Sequence, residues 1–502
     1  MESLLRKLSR GLGLGNAARP AASRLPPLLG RLAGLPPADV VRAMTPEVHR
    51  CVTAETDFAR RIGLIDALRE AAETALPALE DEIAAVRLPL AVPQMAIAVT
   101  IDNLLKALAG EYQSVVVALA ASSGRNSSVP LARAALHATR LLARRQWLAT
   151  LAGKASSRTA WRQFHRLHRL SREAGFSDFS EGDGSIDHIY RRAILLTLAE
   201  ADRLPRADLA SLRAALDVLT PLVRLTDARA TPASATEAVF ISGRDPLPMS
   251  GDPRDVSLHP AWELHLDAVV EQLQNEIRDA ERAREAGVAT LQAMQLRLLG
   301  RLLERFRGKP IRRFSRQGMR PRVDVVTGID RLWWALSGPG LSRRRPGELS
   351  LAPQDGREWM IVDESPDGFG LKLVRGNCPE IEVGDIVGIG LRDVGRMHVC
   401  IVRRVDEDPI QRRRIGVQTL APDAAAIVVL ATEPSRQEAV VHLARLPAHG
   451  GRAGLACASG RLTPGTMVRI VDSEEGGALK IGAPIESNGR FQLLLLDPQP
   501  GT

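Results

Sequence analysis

Hydrophobic positions along the chain follow two different periods, and the change between them divides the protein. From about residue 45 to residue 307 the apolar residues recur every three or four positions, the spacing of one helix face. Phe58, Ile62, Ile65 and Leu68 open this pattern. Further helices are predicted over about 95–121, 130–152, 158–174, 186–200, 207–225, 261–285 and 288–307. Thr45-Pro46-Glu47 reads as a helix start, with a hydroxyl cap, proline at the first helical position and an acid in the first turn. In Trp161-Arg-Gln-Phe164-His-Arg-Leu167 the spacing turns Trp161, Phe164 and Leu167 inward. Residues 226–258, rich in Pro, Gly and Ser, are expected to form a long loop with one short strand-like run at Ala238–Ser242.

Beyond Lys309-Pro310 the period becomes two. Strands are expected at Val323–Val326, Glu358–Val362, Phe369–Val374, Asp385–Gly390, His398–Val402, Ile415–Leu420, Ile427–Ala431, Val440–Ala444, Thr466–Val471, Gly477–Ile481 and Phe491–Leu496. Turn residues separate them at short intervals, as in a barrel or sandwich. The expected fold class is therefore α+β multidomain. A flexible tail spans 1–44 and an all-α domain of helical hairpins spans 45–308. An antiparallel β-barrel spans 309–433, and a small β-rich extension spans 434–502.

Composition changes this picture mainly through charge. The 502 residues carry 67 Lys+Arg against 58 Asp+Glu, a net charge of +9. Thirteen of the cations lie between Arg301 and Arg345, against three acids, so this one segment carries +10 and the remainder sums to −1. A basic belt in an otherwise neutral chain implies a localised anionic partner. It is nearly all arginine, which suits bidentate phosphate contacts and stacking on bases. Aromatic residues are only 3% of the chain, so the cores must be built from aliphatic side chains. Cys51, Cys378, Cys400 and Cys457 show no C-x-x-C spacing, which points to a reducing, cytoplasmic setting without structural zinc. No apolar run of the length needed to span a bilayer stands out, so no transmembrane segment is expected.

The candidate chemistry lies in Ile361-Val-Asp363-Glu-Ser365-Pro-Asp-Gly368-Phe-Gly-Leu371. Two strands flank a polar turn that offers a carboxylate, a hydroxyl and a glycine. A carboxylate there can accept from the N–H edge of a planar base such as a purine, and the glycine permits close approach. His165 and His168, three apart on a helix, have no acid or cysteine to complete a metal set, and arginines surround them; they read as a solvated face. Gly11-Leu-Gly-Leu-Gly15 has neither a preceding strand nor a following helix. No phosphate-binding loop, nucleophile elbow or H-E-x-x-H motif is present, and no enzyme is expected.

Taken together, Arg316-Gln-Gly-Met-Arg320-Pro-Arg-Val, Asp363-Glu-Ser365-Pro-Asp-Gly368, Val383-Gly-Asp-Ile-Val and Arg414-Ile-Gly-Val resemble the PilZ family over about residues 311 to 424. The resemblance implies a six-stranded barrel that binds cyclic di-GMP. It implies that Arg316 and Arg320 hold phosphates and stack on a guanine, that Asp363 and Ser365 meet a guanine edge, and that Gly368 allows backbone approach. Arg312, Arg313 and Arg322 are further candidates, Arg312 because it forms a second R-x-x-x-R with Arg316. No cofactor or metal is implied beyond the ligand. The stretch Ile329–Ser350 reads as an insertion between the two motifs. The expected function is a cytoplasmic bacterial receptor for cyclic di-GMP that acts on a protein partner through its helical domain. A barrel that serves only as an interaction scaffold for pilus, motility or secretion machinery is the alternative. A nucleic-acid binder is the least favoured, because few aromatics accompany the belt.

Overall fold

The computed structural model describes residues 25–497 except 33, 54, 56, 87, 89, 123–128, 155, 183, 228–238, 243–247, 251–259, 286–292, 308–321, 342–356, 366, 377–379, 392–395, 408–412, 433–435 and 472–477. The chain forms two compact units. One comprises Met1–Asp202, Ala210–Arg278 and Arg301–Ile311; the other comprises Arg203–Leu209, Asp279–Gly300 and Arg312–Thr502.

The first unit begins with α1 (Leu25–Leu32), α2 (Pro37–Thr53), α3 (Phe58–Ala85), α4 (Val92–Ser122), α5 (Val129–Leu151), α6 (Arg158–Glu173) and α7 (Ile186–Leu198). Helical structure thus starts well before residue 45. Thr45 does not cap a helix but lies inside α2, where its hydroxyl donates to the Val41 carbonyl at 2.9 Å. Val40, Val41, Met44, Val48 and Val52 are all buried, and this apolar face outweighs the interior Pro46, whose missing N–H and ring together cost about 3 kcal/mol.

Helix α4 bears on the expectation of no membrane-spanning run. Over Val92–Ala121 it is long and apolar enough to cross a membrane by length and composition, with a mean hydropathy of 1.3. In the fold it packs among α2, α3 and α5, and 44% of its most apolar stretch is buried. Its acids are paired: Glu111 with Arg61 at 2.8 Å and Asp102 with Arg145 at 2.8 Å.

After α8 (Arg206–Leu219) come β1 (Arg224–Asp227), β2 (Val239–Ser242), β3 (Pro248–Ser250) and β4 (Pro260–His265), then α9 (Asp267–Glu285) and α10 (Ala293–Arg307). The four strands pair antiparallel in the order β1-β4-β2-β3. The region read as one long loop therefore contributes three short strands to a sheet, and the helix expected from 261 starts at Asp267. These strands are short and rich in Pro, Ser and Asp, so their alternation is too brief to register.

The second unit carries the β-structure. Its first barrel comprises β5 (Arg322–Thr327), β6 (Glu358–Ser365), β7 (Gly368–Arg375), β8 (Ile386–Leu391), β9 (Arg396–Glu407) and β10 (Arg413–Ala421). They close in the order β10-β7-β6-β5-β8-β9. Inward positions such as Val323, Trp359, Ile361, Leu371, Ile389 and Ile415 fill the interior. Alternation along each strand leaves the intervening residues outside.

A second six-stranded barrel follows in place of the small extension expected from residue 434. It comprises β11 (Ala424–Ala431), β12 (Arg436–Leu446), β13 (Arg452–Ala458), β14 (Met467–Ile470), β15 (Leu479–Ser487) and β16 (Phe491–Asp497), closed as β11-β12-β13-β16-β15-β14. Strand β11, assigned by its sequence to the first barrel, pairs only with β12 and β14 among the described residues, so the second barrel begins at Ala424. Counting strands from the start of each barrel gives the same neighbour order in both, 1-2-3-6-5-4. The second barrel is thus a topological copy of the first without a legible sequence repeat.

The insertion expected over Ile329–Ser350 begins as a helix, α11 (Ile329–Leu341). Leu332, fully buried, joins Ile386, Val399 and Ile401 of the first barrel and Leu443, Ala456 and Leu493 of the second in one apolar core. Trp333 Nε1 donates to the Ile427 carbonyl of β11 at 3.0 Å. Polar contacts add to this seam. The turn Val383-Gly384-Asp385 is held by Asn488 Nδ2 on the Gly384 carbonyl at 2.9 Å and by Arg490 Nη1 on Asp385 Oδ2 at 2.9 Å.

Candidate functional site

Asp363, Ser365 and Gly368 come together at the hairpin between β6 and β7, as the motif implies. Asp363 pairs with Gly370 and Ser365 with Gly368 across the two strands. A register shift between Ile361 and Asp363 turns the aspartate outward, although Ile361, two residues earlier, points into the barrel. Ser365 Oγ donates to the Gly368 carbonyl at 3.3 Å. Gly368 has φ of +155°, and a Cβ there would collide with the Val417 carbonyl of β10. The glycine is therefore required for strand packing before any ligand is considered.

The register extends the motif into a row across four strands. Asp363 of β6 lies opposite Gly370 of β7, Gly370 opposite Gly416 of β10, and Gly416 opposite Arg404 of β9. Directly paired residues point to the same side of a sheet, here the outside of the barrel. Two glycines thus form a floor without side chains, with a carboxylate at one edge and a guanidinium at the other. Three inter-strand gaps of about 4.8 Å put the edges roughly 14 Å apart.

Asp363 leans over this floor: a Cβ on Gly370 would sit 2.5 Å from its Oδ1. The row beside it holds Lys372 and Arg414, and the row on the other side holds Gly368 and Gln418. Gln418 Oε1 accepts from Arg403 Nε at 2.9 Å, and Arg403 Nη2 reaches Glu486 of the second barrel at 2.6 Å. Arg404 pairs with Asp406. Asp406 lies opposite Arg414 in the neighbouring row, so the face carries Lys372, Arg404 and Arg414 with an acid, Asp363 or Asp406, toward each edge.

Of the other candidates, Arg322 opens β5 and pairs with Glu358, which leaves it outside this row. Arg312, Arg313, Arg316 and Arg320 lie outside the described residues. Gly370, Gly416, Arg403, Arg404 and Gln418 were not singled out from sequence. The G-x-G of Gly368-Phe369-Gly370 and the R-I-G of Arg414-Ile415-Gly416 were visible, but only the strand register shows that they meet.

The second barrel gives an internal comparison. Gly454 is the third residue of β13, as Gly370 is of β7, yet its partners are Leu443 of β12 and Leu495 of β16. Leucines stand where the first barrel has Asp363 and Gly416, and both lie in the core shared by the barrels. That face of the second barrel is a docking surface. The first barrel docks through β5, β8, β9 and the end of β10 at Ala421, and leaves its glycine floor out of the shared core.

Two polar clusters sit inside the helical unit. His165 and His168 are 1% exposed, so the reading of a solvated face is corrected. His168 stacks on Tyr190 at 3.8 Å and its Nε2 donates to Asp187 at 2.9 Å, while His165 Nδ1 and the Tyr190 hydroxyl share a hydrogen bond of 2.7 Å. The solvated face of α6 is formed mainly by its arginines. In the other cluster the Tyr112 hydroxyl donates to Asp66, with His137 Nε2 3.7 Å from the same carboxylate. Burial pushes the Asp66 carboxyl up, while burial and the cations Arg69, Arg140 and Arg133 lower His137 to about 3.

Comparison with known proteins bears on the helical part. Residues 24–231 match the family described as "Cyclic-di-GMP receptor FimW, N-terminal domain". The matched span is the helical region, not the barrel that carried the resemblance in sequence. No curated protein matches the chain, and no solved structure does.

Proposed function

We propose that this protein is a receptor for cyclic di-GMP and that the dinucleotide lies across the glycine floor of the first barrel. The row Asp363–Gly370–Gly416–Arg404 carries this reading. A cyclic dinucleotide is a flat dianion with two purine faces. The two glycines admit a ring against the backbone, Asp363 accepts from the guanine N–H edge, and Arg404, Lys372 and Arg414 supply positive charge for the phosphates. By the PilZ resemblance, Arg316 and Arg320 hold the phosphates and stack on a guanine. The N-terminal match to a cyclic di-GMP receptor family supports the same ligand independently of the barrel.

The chain acts here as a receptor rather than an enzyme, and the ligand is its only small-molecule partner. The setting is the bacterial cytoplasm, in keeping with the buried free thiols Cys400 and Cys457. Binding neutralises part of the +10 belt between Arg301 and Arg345, and the helical part passes that change to a protein partner.

Isothermal titration of the full chain with cyclic di-GMP tests the reading. We expect saturable binding that Asp363→Ala and the pair Arg316→Ala/Arg320→Ala each weaken strongly. No heat of binding, or unchanged affinity in Asp363→Ala, sinks it.

A further inference from the structure

Helix α6 carries a second charged feature that the ligand reading does not use. Arg158, Arg162, Arg166, Arg169 and Arg172 follow at steps of four, four, three and three residues. At about 100° per residue they fall within an arc of roughly 120°, and at 1.5 Å per residue the stripe is about 21 Å long. All five are exposed. Arg172 is anchored: its guanidinium lies over the Trp262 ring at 4.9 Å and donates to the Leu225 carbonyl at 3.4 Å. Among the described residues the other four make no ion pair or side-chain hydrogen bond. The helix has one acid, Glu173, at its last position, and that acid forms no ion pair among the described residues either.

This arrangement works against the helix that bears it. Like charges at i,i+4 repel, and Arg158 sits at the helix N-terminus, where the macrodipole disfavours a cation. An ordinary solvated face mixes signs or pairs its charges, as Arg69 does with Glu73 at 2.6 Å on α3. The apolar side of α6, with Trp161, Phe164 and Leu167, is already buried. No large hydrophobic residue of α6 is exposed, so the face offers a bilayer nothing to insert and single-stranded nucleic acid no ring to stack on.

We infer that the α6 arginine stripe is a docking surface for an acidic α-helix of a partner protein. Steps of three and four residues are the repeat of a carboxylate ladder along one face of a helix. A facing helix with Glu or Asp at the same steps meets Arg158, Arg162, Arg166 and Arg169 one to one, and the guanidinium fork is shaped for a carboxylate. The stripe covers about a third of the helix circumference, which fits one helix laid along it. The inference stands apart from the ligand reading, because α6 shares no residue with the barrel.

The test uses the full-length chain without nucleotide. The probe is a synthetic alanine-based helical peptide of about 18 residues with Glu at the matching steps, labelled for fluorescence anisotropy. Its isomer has the same composition with Glu scattered around the helix. We expect the matched peptide to bind about tenfold more tightly than the isomer. Arg162→Glu/Arg166→Glu should abolish that preference, and a peptide with Lys in place of Glu should restore binding to the variant. Equal binding of the two peptides overturns the inference, and that comparison needs only the unaltered chain. Binding to phosphatidylglycerol vesicles or to a DNA duplex without a preference between the peptides overturns it as well, in favour of a lipid or nucleic-acid surface.

Discussion

The carboxylate of Asp363 hangs over the bare Cα of Gly370, so close that a single methyl group on the glycine would sit 2.5 Å from Oδ1. The acid and the glycine therefore form one structural element, although they stand seven positions apart in the chain. Gly370→Ala should displace the Asp363 side chain without opening the barrel. The expected outcome is a loss of cyclic di-GMP affinity of about tenfold or more with a thermal midpoint near that of the parent. Titration calorimetry and a thermal melt on the same sample check both halves.

Gly368→Ala should behave in the opposite way. Its Cβ would collide with the backbone of Val417, which cannot swing aside as a side chain can. Stability should fall by about 2 kcal/mol or more, read as a lower urea midpoint, whether or not ligand is present. A variant as stable as the parent would show that β7 and β10 can part locally.

Arg404→Ala probes the far edge of the floor. Arg404 is paired only with Asp406 among the described residues and is half exposed, so its removal should leave the fold intact. Affinity should drop about tenfold, and the salt dependence of binding should become shallower by one charge. Titrations at two ionic strengths distinguish this from a general loss of fit.

Much of this was legible in the sequence, and the limits have physical causes. Period-two alternation located eleven of the twelve barrel strands. It missed β13, whose Arg452-Ala-Gly-Leu-Ala-Cys-Ala is built of small residues with little contrast between faces. Asp363, Ser365 and Gly368 were visible because one hairpin holds them. Gly416 and Arg404 come from strands about 45 residues further on, and only pairing register brings them into the row. The start of α2 was misread because Thr45-Pro46 is a sound local signal, overridden by burial of the valines on either side of it.

Leu332→Ala should loosen the seam between the barrels. The leucine is fully buried where α11 meets β8, and Gly388 leaves room for it: a Cβ there would lie 2.6 Å from Leu332 Cδ1. Loss of the side chain leaves a cavity costing about 2–5 kcal/mol. Urea unfolding followed by far-ultraviolet circular dichroism should shift to a lower midpoint, because Leu332 is buried in the same seam that Trp333 crosses to donate to β11.

The helical unit should lose stability in mild acid. His137 has its folded pKa lowered to about 3 from an ordinary value near 6.5, by burial first and by Arg69, Arg140 and Arg133. A histidine lowered on folding contributes stability that is full above its unfolded pKa and is lost as pH falls toward the folded value. At about 1.4 kcal/mol per pH unit, some 2 kcal/mol should be gone by pH 5. The raised Asp66 carboxyl beside it works in the opposite sense, so the measurement is the difference in pH profile between the parent and His137→Gln. Profiles of equal slope between pH 7 and pH 5 would show that His137 does not govern acid sensitivity.

The shared strand order of the two barrels has a consequence for how this architecture diversifies. One side of the same sheet is a trough where Asp363, Gly370 and Gly416 line up, and a plug where Leu443, Gly454 and Leu495 do. Where the first barrel has an acid and a glycine beside its central glycine, the second has two leucines packed in the seam, and every strand keeps its neighbours. Two barrels of one strand order can therefore meet solvent or each other through the same face, according to whether leucines or small and charged residues line it.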